Sequence, residues 1–216
     1  MTDPAPDSSA RKRGRPRRDP ADAEARQRLI RSGLTYLTEW GYSASGVDEI
    51  LRHAGVPKGS FYHYFAGKEA FGLALIDAYA ESFAQLLDAT LGTPDRPPLA
   101  RLRRFTEGAE EWMARHDFRR GCLVGNLGQE MSALPESFRA RLIATLEDWQ
   151  ARTEACLIEA QSRDDIPRTA DPKALAAAFW IGWEGAILRA KLERKVTPLR
   201  LFSEYFLTSL AKEPVR

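Results

Sequence analysis

A short segment near residue 60 combines side chains that can bind nucleic acid. Residues 56–72 read VPKGSFYHYFAGKEAFG, and Phe61 and Phe65 fall on one face of a helical wheel. Lysines there can neutralise phosphates, hydroxyl and imidazole groups can donate to phosphates or base edges, and Gly59 permits close approach of a DNA backbone. The pattern predicts a DNA-reading helix with its phenyl rings inward and a polar side or edge made of Lys58, Gly59, Ser60, Tyr62, His63, Tyr64 and Lys68.

A basic block precedes this segment by one helix. Residues 11–18 read RKRGRPRR, with six basic residues and no acidic one, although the whole chain carries a formal charge of only +2. Glycine and proline keep the block out of a helix, so Arg13 and Arg15 are predicted to reach into a narrow DNA minor groove. A solvated tail is the ordinary alternative for such a charge run.

Two further stripes combine polar and apolar groups at helical spacing. Cys122, Asn126 and Gln129 follow one another at i, i+4 and i+7. The second stripe uses the spacing i, i+4, i+7 and i+11 and consists of Trp180, Glu184, Ile187 and Lys191. Each stripe is either the wall of a cavity or an ordinary helix face. In the ordinary case, Trp180 and Ile187 of the second stripe are core residues, and Glu184 and Lys191 are a solvent-exposed charge pair.

The elements that must position these residues are helices. Hairpin signals and alternating strand patterns are absent, and prolines fall between the segments. The predicted helices cover residues 21–40, a short stretch between Ser45 and Gly55, 58–64, 68–91, 99–116, 119–132, 135–163, 172–195 and 198–212. The prediction is an all-α fold with a disordered basic arm (1–20), a helix-turn-helix unit of three helices (21–67) and a helical bundle (68–216).

Composition narrows the class of protein. The chain has 216 residues and two cysteines, Cys122 and Cys156, without metal-type spacing. It lacks an apolar run of the ~18 residues that a membrane span needs, and its N-terminus lacks an apolar signal core. We therefore expect a cytoplasmic protein without a membrane partner.

The segment GVDEILRHAGVPKGSFYHYFAGKEAFG, residues 46–72, resembles the DNA-binding domain of the TetR family of bacterial repressors. The resemblance implies an all-helical homodimer whose N-terminal helices bind a palindromic operator in double-stranded DNA. It also implies that the C-terminal bundle holds the ligand and the dimer interface, which we place on helices 172–195 and 198–212.

The segments RRGCLVGNLGQEM and AFWIGWEGAILRAKLE resemble TetR-type regulators that govern acrylate utilisation or sense electrophiles. The implied inducer is acrylate or a related small unsaturated acid. The cation for its carboxylate comes from Lys191, Arg119, Arg120 or Arg189. The ligand-binding residues implied are Trp112, Cys122, Asn126, Gln129, Trp180, Glu184, Ile187 and Lys191.

Three other functions stay open at this point. A thiol-based sensor would act through Cys122, provided that a basic neighbour lowers the thiol pKa. An enzyme would use Cys122 as nucleophile and His116 or Glu130 as base, but the sequence shows no nucleophile elbow, phosphate loop or metal spacing. We therefore predict no enzymatic activity, no cofactor and no metal site. An architectural DNA binder would use the bundle for dimerisation only.

Overall fold

The structure, a computed structural model, describes residues 20–210, with side chains from residue 23 onward. Within that range the chain is helical and forms no strand. The helices are α1 (Pro20–Trp40), α2 (Val47–Ala54), α3 (Lys58–Tyr64), α4 (Lys68–Leu91), α5 (Pro98–Arg115), α6 (Leu123–Gln129), α7 (Ser137–Ser162), α8 (Pro172–Glu193) and α9 (Thr197–Leu210), with a 3-10 turn at Met131–Ala133. The all-α prediction is confirmed. None of these helices is long and apolar enough to cross a membrane.

The first three helices pack as a helix-turn-helix unit. Gly55 ends α2 in the left-handed conformation, with φ 62°, which turns the chain toward α3. Ser32 on α1 donates to the carbonyl of Ile50 on α2 at 3.0 Å. Ser45 does not cap α2: its hydroxyl donates to the carbonyl of Gly41, and Gly46 is the N-cap residue without a side-chain bond.

The long helix α4 joins this unit to the bundle. Near its N-terminus, Phe71 packs on Phe61 and Phe65 of the α3 region, with ring centroids 5.5 and 4.7 Å apart. Further along, Phe83 packs on the buried Trp149 of α7 at 4.4 Å. The helical spacing of Phe71, Leu75, Tyr79, Phe83 and Leu86 predicts that all five face inward, but Leu86 is 45% exposed. One rigid helix therefore spans from the packing of α3 to the centre of the bundle.

The predicted helix 119–132 is wrong over its first four residues. Asp117 and Phe118 adopt positive φ angles of 51° and 54°, and the chain to Cys122 is not helical. Gly121 N donates instead to the carbonyl of Thr38, at 3.0 Å. Because this bond to α1 holds the chain extended, α6 is short and Cys122 is its N-cap residue rather than part of one helical face.

Candidate DNA-reading helix and ligand cavity

Helix α3 divides its side chains as predicted from the wheel. Phe61 and Phe65 are buried, whereas Tyr62 is 65% exposed. The other outward positions are Lys58, Gly59 and His63, which are exposed, and Ser60, which is half-buried. The polar side of α3 therefore faces solvent, where an approaching duplex can contact it.

Two details of this surface bear on DNA contact. Lys58 Nζ lies 3.0 Å from Asp48 on α2, and both side chains are more than half exposed, so a phosphate can compete for the ammonium group. A Cβ added at Gly59 would meet no atom within 4 Å. No neighbouring atom in the described chain requires glycine there, and the open space allows close approach by another molecule.

The remaining predicted DNA contacts are placed differently. Tyr64 is half-buried and packs against the core, with its ring 5.2 Å from that of His63. Lys68 Nζ donates to the carbonyl of Tyr42 at 2.9 Å and lies over the Tyr42 ring, and partial burial lowers its pKa. Lys68 thus braces the loop before α2. Arg13 and Arg15 lie outside the described residues.

A cavity of about 520 Å³ lies within the bundle, in the size range of small-molecule sites. Its wall is mostly apolar, with aromatic contributions from α4, α5 and α8. Four predicted ligand residues line it: Trp112, Cys122, Glu184 and Ile187. Arg120, one of the candidate cations, also lines it, and the sequence-based set missed other lining residues, among them Thr38, Tyr79, Phe83, Phe105, Gly108 and Trp183.

Arg104 and Arg115 also line the cavity, but Arg120 is the cation at its inner end, held beside Trp112 and Thr38. Its guanidinium carbon lies 5.2 Å from the centre of the Trp112 ring, and its Nε donates to the hydroxyl of Thr38 at 3.0 Å. Within the described part of the chain no carboxylate pairs with it. The charge of Glu39 acts on Arg120 without a salt-bridge contact. A planar guanidinium held on an indole, with no carboxylate in direct contact, is suited to bind a ligand carboxylate.

The other candidate cations are engaged elsewhere. Arg119 pairs with Glu39 at 2.5 Å and lies over Trp40, and Arg189 pairs with Glu193 one turn along α8. Lys191 Nζ donates to the carbonyls of Thr38 and Glu39, at 3.3 and 2.9 Å. None of the three lines the cavity.

Beside Arg120, a buried acidic group faces the same cavity. Burial raises the pKa of Glu184 to about 7, although its hydrogen bond with the Cys122 thiol opposes the shift. Its Oε1 atom is buried without a hydrogen-bond partner. A carboxyl group that is half protonated near neutral pH can donate a hydrogen bond to a ligand oxygen.

Tyr79 and Glu184 flank the thiol of Cys122. Burial, and second the Glu184 carboxylate, raises the pKa of the Cys122 thiol well above its usual value. Burial likewise raises the pKa of Tyr79. The expected activating base is therefore missing from this thiol, which stays protonated at neutral pH and is a weak nucleophile. Cys156, also buried, is far from this group in sequence and donates to the carbonyl of Pro98.

Besides Lys191, three other predicted ligand residues take structural positions outside the cavity. Asn126 Nδ2 donates to the carbonyls of Leu37 and Thr38, at 3.0 and 2.9 Å. Trp180 is buried behind the wall, where its Nε1 donates to the hydroxyl of Thr153 at 3.0 Å. Gln129 is exposed and donates to the carbonyl of Gly125 within its own helix. Fewer residues of the two predicted stripes therefore line the cavity than expected.

Several residues of the bundle donate hydrogen bonds to the C-terminal end of α1. Its last carbonyls, which the helix itself leaves unpaired, accept from Gly121, Asn126 and Lys191 of the bundle. In the following loop, the backbone N–H groups of residues 42 and 43 donate to the Glu130 carboxylate at 3.0 and 2.8 Å. The cavity wall and the three-helix unit are thus joined by a continuous set of hydrogen bonds around Thr38.

The bases proposed for an enzymatic Cys122 are also occupied. The His116 ring lies on Trp112, 4.4 Å between centroids, and its Nδ1 is 2.7 Å from the Trp112 carbonyl oxygen. Glu130 holds the loop after α1, as described above. Neither lines the cavity that Cys122 faces.

The chain matches two family models in separate segments. Residues 29–75 match "Bacterial regulatory proteins, tetR family", and residues 98–206 match "Tetracyclin repressor-like, C-terminal domain". The first segment contains the helix-turn-helix unit that carries the exposed α3 face. The second contains most of the bundle around the cavity.

Full-length relatives agree with these models. The transcriptional regulator AcuR of Cereibacter sphaeroides is 62% identical over 90% of this chain and 89% of its own length. The repressor DhaR of a Mycobacterium species is 36% identical over 84% and 90% of the two chains. A crystal structure of a regulatory protein TetR from Rhodobacter sphaeroides superposes with a TM-score of 0.84 at 62% identity, covering 85% of this chain and 97% of that one. The chain therefore belongs to the TetR family of bacterial transcriptional regulators.

Proposed function

We propose that this TetR-family regulator binds a palindromic DNA operator as a homodimer and is released from it by a small unsaturated carboxylate of the acrylate type. The observation that carries the proposal is the position of Arg120, which lines the cavity and hydrogen-bonds to Thr38 of α1. A ligand carboxylate bound to this guanidinium acts directly on a bond between the bundle and the DNA-binding unit. The acrylate class rests on the motif resemblance around Cys122 and Lys191.

DNA binding uses the exposed side of α3, with Lys58 and Ser60 toward phosphates and Tyr62 and His63 toward phosphates or bases. The arm (1–20) adds minor-groove contacts, the unit 21–67 reads the operator, and the bundle 68–216 binds ligand and partner. Support for an α3 reader comes from the 65% exposure of Tyr62 and from the open space around Gly59.

The dimer interface forms on α8 and α9. Their outer faces expose Ile181 and Leu192 on α8 and Leu201 and Tyr205 on α9, each between 69% and 75%. Monomeric proteins rarely expose so many large apolar side chains on one pair of packed helices. Pairing these faces with their copies about a two-fold axis gives a four-helix interface. This interface fixes the distance between the two α3 helices.

Release follows from competition for Arg120. Binding of the carboxylate draws the guanidinium from the Thr38 hydroxyl, and the wall between α4 and α5 closes on the apolar part. Because α4 continues from the packing of α3, a shift of α4 moves the reading helix. The two readers then no longer match successive major grooves, and the ligand is bound more tightly by the released geometry.

A thiol-based electrophile sensor remains the second candidate, because Cys122 lines the cavity beside the ligand site. The raised pKa of its thiol favours reversible acid binding over covalent capture. A purely architectural role is less well supported, because such a protein has no use for a cavity with an unpaired cation. The regulators to which the chain is related also give no support to an enzymatic role.

The test is a gel-shift titration on DNA upstream of the protein's own gene, with acrylate as probe. We expect specific binding that acrylate weakens in the wild type and in Cys122→Ser. Arg120→Gln should bind the same DNA and lose the response. Equal affinity for upstream and random DNA would end the repressor proposal, and loss of the response in Cys122→Ser alone would establish the thiol sensor.

A further inference from the structure

The cavity is much longer than the acid assigned to it. Along α4 it is lined from Tyr79 near Arg120 to Thr90 near the far end. At 1.5 Å per residue these positions are ~16 Å apart along the helix, whereas a three-carbon acid spans roughly 5 Å, taking ~1.5 Å per bond. Acrylate bound at Arg120 therefore fills only the inner part.

Four polar groups surround the place where the carboxylate binds, namely Arg120, Tyr79, Cys122 and Glu184. Beyond them Phe83, Leu86 and Phe105 line the space that acrylate leaves empty. The wall there also includes the polar residues Ser82, Thr90, Arg104 and Arg115. A site with a charged head and an apolar extension selects a ligand with the same two parts.

Gly108 on α5 lines this extension and is itself solvent-exposed, so it stands at the opening of the cavity. Phe105, Gly108 and Trp112 follow at i, i+3 and i+7 and line the cavity together, so position 108 points into it. A Cβ built at Gly108 meets no atom within 4 Å. A glycine in the middle of a helix costs about 1 kcal/mol relative to alanine, and no packing contact at this position requires it.

We infer that the cavity binds α,β-unsaturated acids with an apolar tail, of up to about ten carbons from the ~16 Å length at ~1.5 Å per bond, more tightly than acrylate. The inference rests on the proposed function and names the ligand class of the same site. The carboxylate binds Arg120, and the tail runs between α4 and α5 past Gly108. Gly108 is the residue that admits the tail.

The experiment compares acrylate with trans-2-octenoate by isothermal titration calorimetry on the full-length dimer, and by release of the upstream DNA. Each fully buried methylene contributes about fourfold in affinity. Allowing for the ordering of the tail, we expect octenoate to bind at least about thirtyfold more tightly. The corresponding amide, trans-2-octenamide, lacks the charge that Arg120 binds and should bind at least about tenfold more weakly than octenoate.

Gly108→Leu fills the extension with a side chain that favours the helix. The substitution should weaken the affinity for octenoate by at least about tenfold and change the affinity for acrylate by less than about twofold, because the leucine occupies only the tail region. Gly128→Leu is the matched control: Gly128 is an exposed glycine of α6 with equally open space and does not line the cavity. It should leave both affinities unchanged. Gly108→Ala, a smaller filling, should give an intermediate loss.

The outcomes separate the two proposals. Release by acrylate with no tighter binding of octenoate overturns the inference and leaves the proposed function standing. An equal loss of affinity for both acids in Gly108→Leu also overturns the inference. Failure of both acids to bind or to release DNA overturns the proposed function, and the inference with it.

Discussion

Replacing Glu184 by glutamine tests the acidic group of the cavity. Glu184 has a folded-state pKa of about 7, compared with an ordinary value of 4.5, because it is buried. The folded state therefore holds this proton more tightly than the unfolded state. The resulting stabilisation is fully present below about pH 4.5 and is lost as the pH rises through about 7.

The size of the effect follows from the shift. One pKa unit corresponds to about 1.4 kcal/mol, so a shift of roughly 2.5 units amounts to about 3 kcal/mol. Glutamine is neutral at every pH and removes this pH-dependent contribution to the free energy of unfolding. Between pH 4.5 and 8, the free energy of unfolding of the wild type should fall by about 3 kcal/mol relative to Glu184→Gln.

Urea denaturation followed by tryptophan fluorescence measures this difference, at one fixed protein concentration because the proposed dimer would make stability depend on concentration. Taking the difference between the two proteins at each pH cancels the titration of other groups. Glu81→Gln, a carboxylate-to-amide change on the exposed side of α4 and away from the cavity, is the control and should give a flat difference. A Glu184→Gln difference that stays constant within about 0.5 kcal/mol would refute a buried, titrating Glu184.

Three further substitutions test the other parts of the account. Thr38→Val removes the hydroxyl that accepts from Arg120. By fluorescence anisotropy, acrylate should then weaken DNA binding by less than about threefold, and DNA affinity without acrylate should be unchanged. Thr35→Val is the control and should behave as wild type, because the Thr35 hydroxyl bonds within α1. Ile181→Glu should give monomers in sedimentation velocity because it places a charge in the proposed interface. Ile143→Glu on α7, where the side chain is 48% exposed, is the control and should stay dimeric. A dimeric Ile181→Glu would show that the interface lies elsewhere. Tyr62→Ala should lose about tenfold in operator affinity while its free energy of unfolding stays within about 0.5 kcal/mol, and an unchanged affinity would remove Tyr62 from the DNA contacts.

The sequence predicted the features that local periodicity controls. The helix bounds agree within two residues outside the segment 119–132, as far as the structure describes them. The two faces of α3 were also predicted, because Phe61 and Phe65 are four residues apart and pack on the same neighbours. In both cases the pattern and its cause lie within a few residues of each other.

The cavity was predicted less well because its geometry depends on distant contacts. Asn126 and Lys191 were predicted to bind ligand, yet they bond to carbonyls of α1 that are 88 and 152 residues away in sequence. Helical spacing cannot reveal that the end of α1 needs these donors. The bond from Gly121 N to the Thr38 carbonyl keeps residues 119–122 extended and brings Arg120, alone among the four candidate cations, to the cavity wall.

The most direct test of the central claim is the affinity of the wild-type dimer for its upstream DNA, measured by fluorescence anisotropy with and without saturating acrylate, beside Arg120→Gln. Coupling between ligand and DNA sites is typically 5–150-fold, so we predict at least about fivefold weaker binding with acrylate in the wild type and less than about twofold change in the variant. An equal response in both proteins, or none in the wild type, would contradict the assignment of Arg120 as the group through which the ligand controls DNA binding.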